Sequence, residues 1–125
     1  MWKNILLIGT GGFVGSVARY YVSKINLHVE FLSIPVGTLL VNVLGSFLIG
    51  FLTGISAKSM LLNAHLRMLL MVGFCGGFTT FSTFSGENLM LMQNGQFLSV
   101  LLYTSLSVIL GFSAVYLGYI TSNLL

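Results

Sequence analysis

Long apolar runs separated by short polar breaks make up almost the whole chain. A helix rises about 1.5 Å per residue, so about 20 apolar residues cross a hydrocarbon core. The pattern predicts four such helices, at about 5–22, 35–55, 66–92 and 97–120. Ser23, Lys24, Ile25 and Asn26, followed by His28 and Glu30, form the first polar break. Pro35 suits the first turn of the second helix. Ser56 to His65, with Lys58, is a short connection, and Gln93-Asn94-Gly95-Gln96 supplies a turn before the last helix. The third run is longer than one crossing needs. Its middle reads Gly73-Phe74-Cys75-Gly76-Gly77-Phe78-Thr79-Thr80. Adjacent glycines followed by threonines are poor helix formers, so a break is expected near 76–80.

Composition agrees with this pattern. Hydrophobic residues make up 56% of the 125 and charged residues only 6%, with a mean hydropathy of +1.01. A soluble domain carries about 25% charged residues, so the solvent here is lipid. Four crossings leave little chain over, and residues 1–125 are expected to form a single transmembrane domain. Lys3 before the first run resembles the start of a signal peptide. No small-x-small cleavage site follows a short core, so a retained span is expected. The net charge of +3 is too small to point to nucleic acid. The lone Cys75 excludes an internal disulfide and a cysteine metal site.

Charge bias orients membrane helices. One face, with the N-terminus and the second connection, carries Lys3, Lys58 and Arg67; the other carries Lys24, with Arg19 near the end of the first helix. So weak a bias leaves two outcomes open. Either one orientation wins narrowly, or the chain inserts both ways and an antiparallel dimer becomes possible. Gly11 with Gly15, and Gly50 with Gly54, have the small-x-x-x-small spacing that lets helix backbones touch in lipid.

Polar groups at membrane depth are costly when unpaired, so they face a partner or a wet path. Asn42 lies midway along the second helix, with Thr38 one turn before it. It either glues two helices or serves such a path. The interrupted third segment has two readings as well. It is a kink for close helix contact, or it is unwound backbone lining a cavity, whose freed carbonyls suit a hard cation of Na⁺ type. Phe81 and Phe84 follow on one helix face, interleaved with Ser82, Thr83 and Ser85. A phenyl pair at this spacing is ordinarily packing. The positive edge of an aromatic ring can also meet an anion, and the hydroxyls and the adjoining break favour that use. Glu87, one turn beyond Phe84, is the only acid within a predicted span, a functional candidate by its position. Arg19 either snorkels to the interface or draws anions into a vestibule. Tyr103 and Ser107 share a face of the fourth helix. Their hydroxyls either donate to an anion without holding a fixed charge or bond their own backbone.

No enzyme is indicated. Glu30 and Glu87 are the only acids, His28 and His65 lack metal spacing, and Gly9-Thr10-Gly11-Gly12 lacks the strand and Lys of a phosphate loop.

Three stretches, in order and covering nearly the whole chain, closely resemble the Fluc/CrcB fluoride channel family. They are Gly12-Phe13-Val14-Gly15 with Arg19; Gly37-Thr38-Leu39-Leu40-Val41-Asn42 with Gly45; and Gly76-Gly77-Phe78-Thr79-Thr80-Phe81-Ser82-Thr83-Phe84-Ser85 with Glu87. The last is highly specific. The resemblance implies an all-α membrane protein: an antiparallel, dual-topology homodimer of four-helix subunits in the cell inner membrane. It implies two pores that let fluoride flow passively out of the cell, protecting it from fluoride toxicity. It also implies that Asn42, Phe81 and Phe84 line each pore. Thr38, Ser82, Thr83, Glu87, Tyr103 and Ser107 would form a polar track, with Arg19 at the vestibule. Backbone carbonyls of Gly76 and Thr79 from both subunits would hold a central structural Na⁺. The alternative transporter, a small dual-topology multidrug exporter coupled to protons, would need an acid deep in an early helix, and the first segment has none. A non-transporting assembly subunit would explain the glycines but not the Gly-Gly, Thr-Thr and Phe-x-x-Phe run.

Overall fold

The computed structural model of the chain describes residues 1–24, 33–58 and 62–124; His28 and Glu30 lie outside them. Helix α1 spans Trp2–Ser23 and α2 spans Val36–Lys58. The third segment begins as α3 (Ala64–Arg67), continues through a π-helical stretch at Met68–Cys75 and the short α4 (Gly76–Phe78), and resumes as α5 (Phe81–Gln93). Helix α6 covers Phe97–Asn123. Among the described residues, four helical spans are long and apolar enough to cross a membrane: Trp2–Ser23, Val36–Lys58, Ala64–Gln93 and Phe97–Asn123.

Local chemistry sets several ends. The Pro35 carbonyl accepts from the Leu39 N–H at 3.1 Å, which opens α2. Asn63 Oδ1 accepts from the Leu66 N–H and caps α3. After α5, Gly95 takes φ +74°. The Gln96 N–H then reaches the Leu91 carbonyl and the Gly95 N–H reaches the Met92 carbonyl. That pair of hydrogen bonds is the glycine-ended helix stop, which needs a left-handed residue a side chain would strain.

Helices adjacent in sequence are not the closest pairs. Helix α1 packs on the π-helical stretch and α4, while α2 packs on α6. Glycine decides both pairings. A Cβ on Gly11 would strike the Leu69 carbonyl and lie 2.8 Å from the Phe74 nitrogen. One on Gly15 would strike the Phe74 carbonyl, and one on Gly77 would lie 2.9 Å from Gly12 Cα. Across the other pair, a Cβ on Gly50 would strike the Val115 carbonyl and one on Gly118 the Phe47 carbonyl. In lipid there is no hydrophobic drive between helices, so such backbone contact is what holds them. Gly73 and Gly77 thus join the small-residue seams, a role their Gly-x-x-x-Gly spacing carries in the sequence as well.

The buried core is thin. Ile34, Leu91 and Tyr103 form one cluster with Leu39 and Phe84 against it. Leu52, Leu62 and Cys75 form another with Leu48, Ile49 and Met71. Large apolar side chains such as Phe13, Ile109, Phe112 and Tyr116 lie on the outside, an arrangement suited to hydrocarbon or to another apolar surface.

Candidate functional site

The third segment is helical through Gly76-Gly77-Phe78 and again from Phe81. Between them Thr79 (φ −82°, ψ 157°) and Thr80 (φ −153°, ψ 120°) are extended. The glycines expected to interrupt the helix are themselves helical, because Gly77 is needed against Gly12. The non-helical residues are the two β-branched threonines, whose restricted side-chain rotamers make them weak helix formers.

Unpaired backbone inside an apolar protein must find partners, and α2 provides them. Asn42 Oδ1 accepts the Thr80 N–H at 2.9 Å, and Asn42 Nδ2 donates to the Thr80 carbonyl at 3.1 Å. One amide therefore replaces a neighbouring strand. Thr80 Oγ1 accepts the Thr83 N–H and caps α5. Thr79 Oγ1 donates back to the Cys75 carbonyl, and Arg19 Nε donates to the Gly77 carbonyl at 3.1 Å. The Gly76 and Thr79 carbonyls are two of those that lose their helical donors at this interruption. The Thr80 N–H would serve Gly76 in an unbroken helix and is held by Asn42. The Thr83 N–H would serve Thr79 and is held by Thr80. Gly76 is exposed, and a Cβ built on it meets nothing within 4 Å. Oxygen donors of this kind suit a hard cation.

A cavity of about 570 Å³ lies beside the interruption. It brings together Asn42, Gly76, Thr79, Phe81, Phe84 and Ser107, with Ser46 and Thr80 also in its wall. Among the described residues, no charged side chain lines it. The rings of Phe81 and Phe84 stand 5.8 Å apart, tilted by 43°. Phe84 leans on Tyr103 at 4.9 Å, whereas Phe81 is 79% exposed. Ser107 Oγ is buried and has no hydrogen-bond partner among the described residues.

The remaining expected residues stand outside this wall. Glu87 accepts from the Thr38 hydroxyl through Oε2 and from the Tyr103 hydroxyl through Oε1, each at 2.9 Å. Thr38 and Tyr103 are 1% and 0% exposed, so this carboxylate is tied into the interior through two elements, α2 and α6. Ser82 is exposed and lies 3.5 Å from the Thr80 hydroxyl; Thr83 contributes its backbone N–H to the α5 cap. Arg19 is engaged with the end of α4. The sequence pattern marks Thr80 only within its motif and Ser46 only as one of the small packing residues of the second helix. The signal for Ser46 was present: it lies four residues after Asn42 and so on the same helix face. Among the described residues, no cluster of three His, Cys, Asp or Glu side chains could hold a metal.

Comparison with known proteins identifies a family and its relatives. The family model described as "CrcB-like protein, Camphor Resistance (CrcB)" matches residues 6–119. A protein of Azobacteroides pseudotrichonymphae genomovar. CFP2 named "Fluoride-specific ion channel FluC" is 45% identical over 123 residues, covering 98% of each chain. Proteins of the same name from Chlorobium chlorochromatii and Chlorobaculum tepidum are each 46% identical, over 96% and 98% of this chain and 92% and 96% of their own. With four spans of membrane-crossing length, the similarity describes a multi-pass membrane protein.

Proposed function

This chain belongs to the CrcB family, and from that premise we propose that it is a fluoride-selective channel rather than an enzyme. It lets fluoride leave the cell passively and electrogenically across the inner membrane. Its relatives are named as fluoride-specific channels over essentially their whole length. The observation that carries the reading is the cavity wall: amide and hydroxyl groups beside the Phe81 and Phe84 rings, with no charged side chain among the described lining residues.

Fluoride is small and strongly hydrated, so losing water must be offset by close donors. After bracketing Thr80, Asn42 still has a second amide hydrogen. Ser107 Oγ has no partner. The edges of Phe81 and Phe84 carry partial positive charge. Groups like these bind an anion without a fixed opposite charge, which leaves release possible. The third segment is interrupted inside the bilayer, where non-helical backbone is tolerated if it is buried or lines a cavity. Thr38, Glu87 and Tyr103, with Ser82 and Thr83, form a polar track beside the route. Arg19 adds positive charge near its vestibule.

The functional unit is an antiparallel homodimer with two pores. The exposed Phe81 ring and the open face at Gly76 are where a second copy would sit. Carbonyls of Gly76 and Thr79 from both subunits would hold a structural Na⁺. Such an ion would lower the electrostatic cost of bringing an anion into apolar surroundings.

The test is flux from liposomes holding the purified protein. Fluoride should leave rapidly once potassium and valinomycin carry the compensating charge, and chloride should barely move. Absence of fluoride flux would sink the proposal, and proton-driven uptake of an organic cation would favour the small dual-topology exporter.

A further inference from the structure

Helical serines and threonines ordinarily return their hydroxyl to the carbonyl four residues back. Here Thr53 donates to Ile49 and Thr121 to Leu117, at 2.7 and 2.8 Å. Ser46 does neither this nor any other bonding among the described residues, although it lies in the cavity wall. The other two polar groups on its stripe of α2 are committed. Thr38 gives its hydroxyl to Glu87, and Asn42 holds Thr80. Ser46 is therefore the least engaged donor that α2 presents to the cavity.

Its surroundings keep that hydroxyl open. Gly111 of α6 stands opposite, where even an added Cβ would lie 3.7 Å from Ser46 Oγ. One turn before Gly111 is Ser107, whose Oγ is buried and also unpartnered. The two helices cannot drift apart or rotate easily, because Gly50 and Gly118 lock their backbones together just beyond. Two helices thus bring two uncommitted hydroxyls to one charge-free wall.

We infer that Ser46 is a fluoride-binding residue, forming with Ser107 a second station about 6 Å along α2 from Asn42, four residues at the helical rise. The inference rests on the channel reading above. A small acceptor is the guest this pair suits, since each hydroxyl can donate one hydrogen and no fixed charge is present to favour a cation. Two adjacent weak stations let an anion advance without either trapping it.

The experiment measures initial fluoride efflux from liposomes against internal fluoride concentration. Ser46→Ala should lower the low-concentration rate about fivefold, the scale of one lost hydrogen bond, and raise the half-saturating concentration by the same factor. Ser46→Cys should behave the same way, because a thiol fills the space of the hydroxyl but donates weakly. Combining Ser46→Ala with Ser107→Ala should cost less than the product of the single losses, as expected for two groups serving one guest. Normal rates in Ser46→Ala, recovery in Ser46→Cys, or strictly multiplicative losses would each overturn the shared station while leaving the channel reading intact. A wild-type protein that passes no fluoride would overturn both.

Discussion

At the scale of single residues, Asn42 has the most constrained task. Its amide satisfies both backbone groups of Thr80, and a carboxylate in its place would accept from the N–H but repel the carbonyl. Asn42→Asp is expected to cut fluoride flux at least tenfold, since a buried unmatched polar contact costs about 1–3 kcal/mol. The check is the liposome assay alongside size-exclusion elution, which should still show the assembled protein. Phe81→Ile keeps apolar volume but removes the ring edge. It should likewise reduce flux strongly while leaving assembly unchanged, because isoleucine keeps an apolar side chain at this 79% exposed position, where a second copy would pack. Unchanged flux in both variants would remove these residues from the route.

At the scale of elements, the fold depends on glycine seams. Gly15→Leu should prevent α1 from seating on the third segment, because even a Cβ strikes the Phe74 carbonyl. Overpacking costs about 1–3 kcal/mol where neighbours can move, and here the neighbour is backbone. The expected result is loss of folded protein in detergent, read as yield and melting temperature. Gly9→Ala is the contrast, since nothing lies within 4 Å of its added Cβ. It should be neutral or stabilising by up to about 1 kcal/mol, the helix preference of alanine over glycine. The same seams explain why the helix interruption falls at Thr79-Thr80 and not at the paired glycines. Gly77 keeps the helix because α1 needs a smooth face there, at Gly12, while Asn42 supplies Thr80 with bonds outside the helix.

At the scale of the whole molecule, the exposed apolar side chains are the surface on which the proposed inverted dimer can be tested. Single cysteines placed at the two ends of α6 should crosslink in a pattern showing opposite orientations; a purely parallel pattern would contradict the inverted dimer. If Gly76 and Thr79 carbonyls hold Na⁺, replacing it with a large organic cation should lower the melting temperature of the dimer. A ligand bound only to the folded state stabilises in proportion to its occupancy. An unchanged melting temperature would speak against the ion.

Helix number and the membrane setting were legible in the sequence alone. Apolar run length against bilayer thickness is a one-dimensional property that needs no knowledge of neighbours. The motif around Gly76 to Glu87 also carried the family, because that order of glycine, threonine and phenylalanine is rarely met elsewhere. Partnership between distant residues was decided only in three dimensions. Asn42 with Thr80, Arg19 with Gly77, and Thr38 and Tyr103 with Glu87 are separated by 16 to 58 residues along the chain. Which helices pair, and which hydroxyls are consumed and which remain open, follows from how side chains mesh across those distances, and periodicity within one helix carries no record of that.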